Sequence, residues 1–514
     1  MLTIKNTTHG HTKNYKSIIS ATCRFDISNT FFDSLHRFVP KKRGVVTQLS
    51  GKYKVSRTFI YQLRDIFSIA VENNCQYSQD IDKQDEKRSS LNIILSLRFE
   101  GKCGIEGISS VMQRLGLPFH SVGFISQALS EIGNKLTGTL SVENSSPIKV
   151  VFCSDEIFAA QTAILITVEP TSLAILSIEL APNRKGDTWQ NHWENIVSQG
   201  YIPLYFVKDQ GTGMESAQKS ELFKNIGVQT DTFHAVALCL GLWLIRLEKA
   251  AYRAIEHEYE CFRLWDNAVS MPVFVKRGEN YEKAVTETFR AIELYEWFKS
   301  AYHSMLECFN NFDKTGKLKE VDQIIEQFNE ALELIKLLEH KEINQELKSI
   351  ENCKNDLFYF AQIAKEVIQE LSLTIDNQIL IQLCLAWQVL KTTRKLKGQS
   401  QRKNALQRKE QYILESVKER IGENYENIKN QVYGKLDQIV QSSAAVECIN
   451  SILRPYLNTI KNQPTQEFLN LFMFYHNHRR FSAGKRKGKT PIEILTGKVQ
   501  SKDWTELLLE KITI

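Results

Sequence analysis

The sequence predicts an α/β core that is interrupted by a large all-α insertion and preceded by helical units. Short β-rich runs are confined to residues 148–230, whereas residues from about 250 to 435 show helical periodicity with almost no strand signal. Two helix-break-helix patterns precede the first strand. The chain has 514 residues, which suggests roughly three to four domains at about 150 residues each.

The composition is that of a globular protein, with 42% hydrophobic and 24% charged residues. Lys and Arg outnumber Asp and Glu by 65 to 59, an excess too small to prove a nucleic-acid partner by itself. The ten cysteines form no CxxC pair, so a zinc ribbon is not expected. Because the N-terminus lacks an apolar signal region and no stretch nears ~18 apolar residues, we expect an intracellular protein with no membrane partner.

Residues 1–75 are expected to form an N-terminal DNA-binding domain built on a helix-turn-helix, with Ser56 as the N-cap of the second helix. The predicted inward positions are Val55, Ile60 and Leu63. The outward positions, which could hydrogen-bond base edges in a major groove, are Arg57, Thr58, Tyr61, Gln62 and Arg64. An ordinary helical hairpin explains the same periodicity, and the sequence leaves that alternative open.

A charged stretch at 76–90 is expected to be a linker or an exposed loop. Residues 91–137 then repeat the outline of a helix, a break from Gly116 to Pro118, and a second helix from about Ser121. Two such units in tandem would suit an extended DNA site. The outer face of the second unit carries few cations, so the sequence supports a DNA-binding role less strongly there.

The first part of the α/β core is expected over residues 138–249. Three consecutive strands are predicted, followed by a helix, a fourth strand ending at Asp209, a helix, a fifth strand and a long buried helix. This is the order of an RNase H-like sheet, in which the first and fourth strands are neighbours. The all-α insertion then covers 250–435, and residues 436–514 form the second part of the core with a basic C-terminal segment.

Three acids occupy positions where carboxylates can act together. Asp155 ends the first strand and Asp209 ends the fourth, so the two side chains should lie near each other although they are 54 residues apart. Two such carboxylates repel unless a cation sits between them, and hard oxygen ligands suit Mg²⁺ or Mn²⁺. Glu447 lies on a helix that presents Asn450 and Arg454 on the same face. Two ions held by these acids would activate an attacking oxygen and stabilise the leaving oxygen of a phosphodiester.

These acids and the C-terminal motifs resemble those of DDE-type transposases of bacterial insertion sequences. The acids occur in CSDEIF, FVKDQGTG and SSAAVECIN, and the tail reads FYHNHRRFSAGKRKGKTPIEILTG. The tail positions that match the family are Tyr475, Asn477, His478, Arg479, Arg480, Thr490, Pro491, Glu493 and Leu495. The segment DTFHA, with Asp231 and His234, also resembles transposases in which a His follows the second catalytic Asp. The resemblance covers about residues 148–250 and 436–497.

The resemblance implies a transposase that cleaves transposon ends and transfers the freed strand to target DNA. It implies that Asp155, Asp209 and Glu447 are catalytic metal ligands for two Mg²⁺ or Mn²⁺ ions. His234, Asn450 and Arg454 are then expected to support the site. The implied partner is double-stranded DNA, bound by a homodimer or higher assembly in the bacterial cytoplasm, at the nucleoid. Compact relatives place the Glu a few tens of residues after the second Asp, so the 238-residue separation here marks the all-α block as an insertion.

Two basic tracts could follow DNA phosphates. Residues 377–409 contain no acid and eight cations, namely Lys391, Arg394, Lys395, Lys397, Arg402, Lys403, Arg408 and Lys409. The cluster near the tail contains Arg479, Arg480, Lys485, Arg486, Lys487 and Lys489. A solvated charged face is the alternative for either tract.

Several alternatives remain open at this stage. Each acid taken alone could be an ordinary exposed carboxylate, and His234 could be a core or capping histidine. Glu156 should point to the face opposite Asp155 and is not expected to be a ligand. A structure-selective metal-dependent nuclease and a domesticated, non-catalytic DNA-binding protein are the rival functions.

Overall fold

The computed structural model describes residues 44–63, 65–66, 83–141, 146–398 and 400–512. The chain divides into two compact units, Met1–Ser89 and Ser90–Ile514, which we describe separately. Within the described ranges, no helix is both long and apolar enough to cross a bilayer.

Residues 44–66 of the N-terminal unit, where they are described, form two short helices joined by a turn. Helix α1 spans Val45–Tyr53, and α2 follows at residues 57–63 and 65–66. The turn is made by Lys54 in the left-handed conformation (φ 52°), and the Ser56 hydroxyl then accepts a hydrogen bond from the Phe59 N–H at 3.1 Å. The predicted N-cap is therefore confirmed.

A small apolar core holds these two helices together. Leu49, Val55 and Ile60 are buried, and Leu63 packs against them. The expected outward side chains are exposed where they are described, namely Arg57, Thr58, Tyr61 and Gln62. Arg64 lies outside the described residues. The periodicity predicted this polar helix face. Of the predicted inward positions, Val55 and Ile60 are buried and Leu63 is partly buried.

Three helices precede the sheet in the second unit. They are α3 (Lys83–Phe99), α4 (Ile105–Arg114) and α5 (Val122–Asn134). The structure corrects one expectation, because residues 83–90 are helical rather than a loop; residues 76–82 lie outside the described part. Leu91, Ile94 and Leu95 are buried and anchor α3. The first turns of α3 are charged and rich in helix-favouring residues, so the helix begins before these anchors. The predicted break between α4 and α5 is confirmed, with Ser121 as the N-cap of α5.

The core of the second unit is a mixed five-stranded sheet. Its strands are β1 (Ile148–Ala159), β2 (Thr162–Glu169), β3 (Ala174–Ala181), β4 (Tyr201–Lys208) and β5 (Gly227–Thr230). Their order across the sheet is β3-β2-β1-β4-β5. The first three strands are antiparallel, whereas β4 pairs parallel with β1 and β5 parallel with β4. The prediction that the first and fourth strands are neighbours is confirmed.

Helices cover both faces of this sheet. Between the strands lie α6 (Gly186–Ser198) and α7 (Thr212–Gln218). The α6 face buries Trp189 and Trp193 against Phe206, and the Trp193 and Phe206 ring centroids are 4.4 Å apart. The opposite face packs against α16 (Ala444–Thr459) and α17 (Gln466–His478). Strands buried on both faces explain the nearly continuous apolar runs of β1, β2 and β3.

The predicted helical block is confirmed between β5 and α16. A short π-helix (Phe233–Leu238) continues into α8 (Cys239–Asp266), and α9 (Met271–Cys308) returns alongside it. The block continues with α10 (Val321–Lys336), α11 (Lys341–Leu357), α12 (Tyr359–Ser372), α13 (Asn377–Lys395), α14 (Gln401–Ile421) and α15 (Tyr425–Asp437). These helices share a separate apolar core that includes Phe328, Leu347 and Leu383.

The chain ends in two short helices beyond α17. Helix α18 spans Pro491–Thr496, and α19 spans Trp504–Lys511. Thr490 and Glu493 form a reciprocal capping box at the start of α18, which explains why the Thr-Pro-x-Glu sequence folds as a helix there. The second unit is thus an α/β core with a helical insertion.

Candidate functional site

Asp155 and Asp209 are brought together by the parallel pairing of β1 and β4. Cys153 pairs with Val207, and each acid lies two residues farther along its own chain. The expected positions are corrected, because β1 continues four residues beyond Asp155 and β4 ends one residue before Asp209. Because side chains two residues apart point to the same face of a strand, Asp155 lies on the face that α16 covers. The Asp209 carboxylate accepts a hydrogen bond from the Gly211 N–H at 2.8 Å, where the chain turns into α7.

Asp155 is held by two hydrogen bonds and crowded by negative charge. Its Oδ1 accepts from the Glu156 N–H and its Oδ2 accepts from Asn450 Nδ2, both at 2.8 Å. Burial, together with the negative charges of Glu447 and Asp209, raises the pKa of Asp155 to about 7. Carboxylates that change the pKa of a neighbour in this way lie close to it. Asp155 in β1, Asp209 just after β4 and Glu447 in α16 therefore lie in one neighbourhood.

His234 links Glu447 to a buried acid. His234 Nδ1 lies 2.8 Å from Asp231 Oδ2, and its Nε2 lies 3.6 Å from Glu447 Oε1. Burial alone would lower the pKa of His234, but the Asp231 hydrogen bond and the charges of Asp231, Glu447 and Asp155 outweigh it and raise the pKa. The half-buried His234 ring thus lies between the two carboxylates, with Nδ1 toward Asp231 and Nε2 toward Glu447.

Asp231 also closes the base of the helical insertion. Its carboxylate accepts hydrogen bonds from the N–H groups of Phe233 and His234, and from both the N–H and the hydroxyl of Ser443. Next to it, the Thr232 N–H donates to the Gln441 carbonyl at 3.1 Å. The two ends of the insertion are therefore hydrogen-bonded to each other. We call the contacts of Asp231 with Ser443 and of Thr232 with Gln441 the clasp. The clasp positions His234 relative to Glu447.

A cavity of about 520 Å³ opens between this clasp and the insertion. The core contributes His234, Ser443 and Glu447 to its wall, and α13 contributes Trp387, Lys391 and Lys395. Glu447 and the basic face of α13 thus border the same space.

Lys391 brings a positive charge to that cavity. Burial lowers the pKa of Lys391 to about 8, with Asp437 opposing the shift and Lys395 and Lys485 adding to it. Its Nζ lies 4.2 Å from the centroid of the Trp387 ring, whose Nε1 donates to Asp437 at 3.0 Å. A cation held against an aromatic face in this way keeps its charge at the cavity that Glu447 also borders.

The oxygen atoms of the site suit a hard divalent cation. Asp155, Asp209 and Glu447 supply carboxylates, and Asn450 Oδ1 is buried without a hydrogen-bond partner among the described residues. In the part of the chain that the structure describes, no three acidic, His or Cys side chains yet converge as a metal-binding group. The donor chemistry fits Mg²⁺ or Mn²⁺, while the side chains are near one another rather than closed around a common point.

The cations that were predicted to contact DNA differ in exposure and in the contacts they make within the protein. Arg480 pairs with Glu493 at 3.0 Å, and Arg486 donates to the carbonyls of Thr171 and Pro170, so both hold the C-terminal segment in place. Lys485 pairs with Asp437 at 3.0 Å, and Arg479 lies over the Tyr475 ring. Arg394, Lys395, Arg402 and Lys487 are exposed, whereas Lys403 is partly buried. Arg454, which was expected to support the site, is also exposed.

Two further observations refine the sequence-based site. Glu156 points to the opposite face, as expected, and pairs with Arg184 at 3.0 Å. The clasp residue Ser443 and the cavity residue Lys391 had no assigned place in the site. The sequence signal was present in each case: Ser443 immediately precedes the helix that carries Glu447, and Lys391 is the first cation of the acid-free tract.

Comparison with known proteins adds no relative, since neither the protein-family models nor the curated proteins include a match to this chain.

Proposed function

We propose that this protein is a DDE-type DNA transposase. The observation that carries the proposal is geometric: the parallel β1–β4 pairing sets Asp155 beside the end of β4, where Asp209 follows, and Asn450 from the Glu447 helix donates to Asp155 at 2.8 Å. The mixed sheet, with its parallel β1–β4 pair and a helix across Asp155, supports an RNase H-like interpretation of the core. The two short helices of the N-terminal unit, the second of which is capped by Ser56, support a helix-turn-helix that contacts DNA.

In this proposal Asp155, Asp209 and Glu447 hold Mg²⁺ or Mn²⁺, which would supply Lewis-acid chemistry at the phosphodiester. Asn450 orients the Asp155 carboxylate through the 2.8 Å hydrogen bond. Asp231 orients His234, and His234 in turn faces Glu447. The chain's own residues thus fix the carboxylates in one neighbourhood and balance part of their charge.

The proposed substrate is double-stranded DNA, at the transposon ends and at the target. Lys391 and Lys395 border the same cavity as Glu447 and supply positive charge for backbone phosphates. Arg57 and Gln62 on the exposed face of α2 would contact base edges or phosphates. Joining two ends to one target favours a homodimer or a higher assembly on DNA.

The test incubates the full-length protein with labelled DNA from both flanks of its own gene and a target plasmid, in Mg²⁺ or Mn²⁺. Wild type is expected to nick at a defined end and join that end to the target. Asp209→Asn should bind the same DNA without nicking or joining. Glu156→Gln is the matched control, because this acid adjoins Asp155 but points to the other face, so cleavage should persist.

Each other outcome refutes part of the proposal. Cleavage without joining would indicate a nuclease, and binding without cleavage by wild type would indicate a DNA-binding protein without catalysis. Cleavage that survives Asp209→Asn would show that the wrong acids have been assigned.

A further inference from the structure

A cavity of about 390 Å³ lies at the far end of the helix that carries Glu447. It opens where α3, α4 and α5 meet the end of α16 and the start of α17. Thr459 lines the cavity and is the last residue of α16, about 18 Å along the helix from Glu447 at ~1.5 Å per residue. Small-molecule sites typically have volumes of ~300–1,000 Å³, so this cavity is large enough to hold a ligand of its own.

Arg98 brings a buried positive charge to the wall of this cavity. The residue is only 1% exposed, and its Nη1 donates to the Cys103 carbonyl at 2.7 Å and to the Thr459 hydroxyl at 3.0 Å. Among the described residues, no carboxylate pairs with Arg98, and its Nε and Nη2 make no hydrogen bond. Burial lowers the pKa of Arg98, and the groups that oppose this shift are Tyr456 and Cys103 rather than an acid. A buried guanidinium with unused donors is costly unless an anion completes its hydrogen bonds.

The start of α4 adds a second set of donors to the same cavity. The N-cap of α4 is Gly104, which has no side chain to accept from the first turn. Gly104, Ile105 and Glu106 all line the cavity. The first N–H groups of a helix have no partner within the helix and carry partial positive charge. The buried cation and the uncapped helix start therefore both favour a negatively charged ligand.

The remaining charges at the cavity limit the size of that ligand. They are Lys461 and Glu106 on exposed residues and the partly buried Glu467. Hydrogen bonds from the Thr465 hydroxyl and from the backbone lower the pKa of Glu467, so this carboxylate is held at the start of its own helix, α17. Two carboxylates at the cavity disfavour a polyanion, and a DNA backbone does not reach a side chain as buried as that of Arg98.

Apolar side chains form much of the cavity wall. Phe99, Leu129 and Leu471 line it and are buried, and the Phe468 ring centroid lies 5.0 Å from Arg98 Cζ. A bare inorganic ion would leave this apolar surface uncovered. A ligand with a small apolar body beside its charged group would remove that surface from water.

We propose that this cavity binds a small organic anion. Its carboxylate or phosphate group accepts hydrogen bonds from Arg98 and from the first N–H groups of α4, while its apolar body packs against Leu129 and Phe468. The bound anion joins α3 and α4 to the last turn of α16. The proposal does not depend on the DNA chemistry, because none of these residues belongs to the site of the three acids.

The test is isothermal titration calorimetry of the full-length protein in Tris–chloride buffer. The probes are phenylacetate, phenyl phosphate and the neutral 2-phenylethanol. At least one of the two anions is expected to bind once per chain with a Kd of about 1 mM or tighter, and the tighter of the two identifies the charged group. The alcohol should bind at least about 10-fold more weakly, because it cannot form charge-assisted hydrogen bonds.

Two variants with matched controls locate the bound probe. Arg98→Met should weaken binding at least about 10-fold, whereas Arg114→Met, exposed at the other end of α4 and outside the cavity, should not. Because Arg98 also bridges Cys103 and Thr459, the second variant leaves it in place. Ser130→Trp fills the cavity from an exposed position of α5 and should abolish binding, whereas Gln127→Trp, exposed on the same helix but outside the cavity, should not.

Hydrogen exchange supplies a readout that needs no variant, because the amides of residues 105–107 should become more protected when the anion binds. The proposal is overturned if neither anion binds at about 10 mM, if the alcohol binds as tightly as the anions, or if binding survives both Arg98→Met and Ser130→Trp. Inorganic phosphate that binds as tightly as phenyl phosphate would refute the role of the apolar wall. A short DNA duplex that protects residues 105–107, and fails to do so in Arg98→Met, would assign the cavity to nucleic-acid phosphates instead.

Discussion

Replacing Asp155 with Asn should stabilise the metal-free protein at alkaline pH while removing its proposed chemistry. Burial and the neighbouring carboxylates raise the pKa of Asp155 to about 7, roughly three units above that of an ordinary Asp. A carboxyl with a raised folded-state pKa binds its proton more tightly in the folded chain than in the unfolded chain. Its ionisation therefore costs stability progressively as the pH rises from about 4 to about 7.

The expected size of the effect follows from that shift. Linkage gives a cost of about 1.5 kcal/mol at pH 5 and about 4 kcal/mol at pH 8. The Asn side chain does not ionise, so wild type should lose about 2.5 kcal/mol more stability than Asp155→Asn between these two pH values. The replacement also fits locally, because the Asn450 amide can turn so that its unpartnered Oδ1 accepts from the new amide N–H.

The assay is urea unfolding in EDTA between pH 5 and 8, with hydrogen exchange of β1 as the local probe. Asp313→Asn is a suitable control, because hydrogen bonds from Thr315 outweigh a small burial effect and lower the pKa of that carboxyl. That variant should show no gain in stability at pH 8. If the unfolding free energies of wild type and Asp155→Asn change with pH in parallel, the carboxylates are not crowded at this site.

Three further predictions concern the surroundings of the site. Glu447→Gln should lower the pKa of His234, because it removes one of the negative charges that raise it; an NMR titration of the imidazole that shows no change would contradict the contact. Thr490→Ala should cost about 1 kcal/mol by removing the N-cap of α18, measured by exchange of the α18 amides against the exposed control Thr286→Ala. Trp193→Ala should cost about 3–5 kcal/mol in urea unfolding, because it leaves a cavity beneath β1 beside Phe206; a loss below 1 kcal/mol would show that the site collapses freely.

The order of elements in the core could be predicted because local patterns determine it. The apolar runs of β1, β2 and β3 are separated by turn-sized gaps, which predicts antiparallel neighbours. The fourth strand follows a helix, which allows it to return parallel to β1. The long periodic segments of the insertion likewise predicted helices such as α8 and α9.

The contacts that complete the site could not be predicted in the same way. The bond between Asp231 and Ser443 joins residues that are 212 apart in sequence, and no local pattern carries that pairing. Basic residues within one tract differ in exposure for a similar reason, because their contacts lie far away in the sequence. Arg486 donates to backbone carbonyls of a distant turn, whereas Lys487 beside it is exposed. Composition gives the number of charges, but packing decides which of them are free.

The clasp at the base of the insertion fixes the position of Glu447 whatever the length of the insertion. Thr232 and Gln441 are hydrogen-bonded neighbours, so everything between them is a closed loop whose ends are already fixed. The entropy of closing such a loop grows only with the logarithm of its length, and doubling the length costs about 0.6 kcal/mol. Insertions of very different size could therefore be accommodated at this point of the sheet without moving Glu447 away from Asp155. The helical block is free to vary in size as long as the clasp is kept.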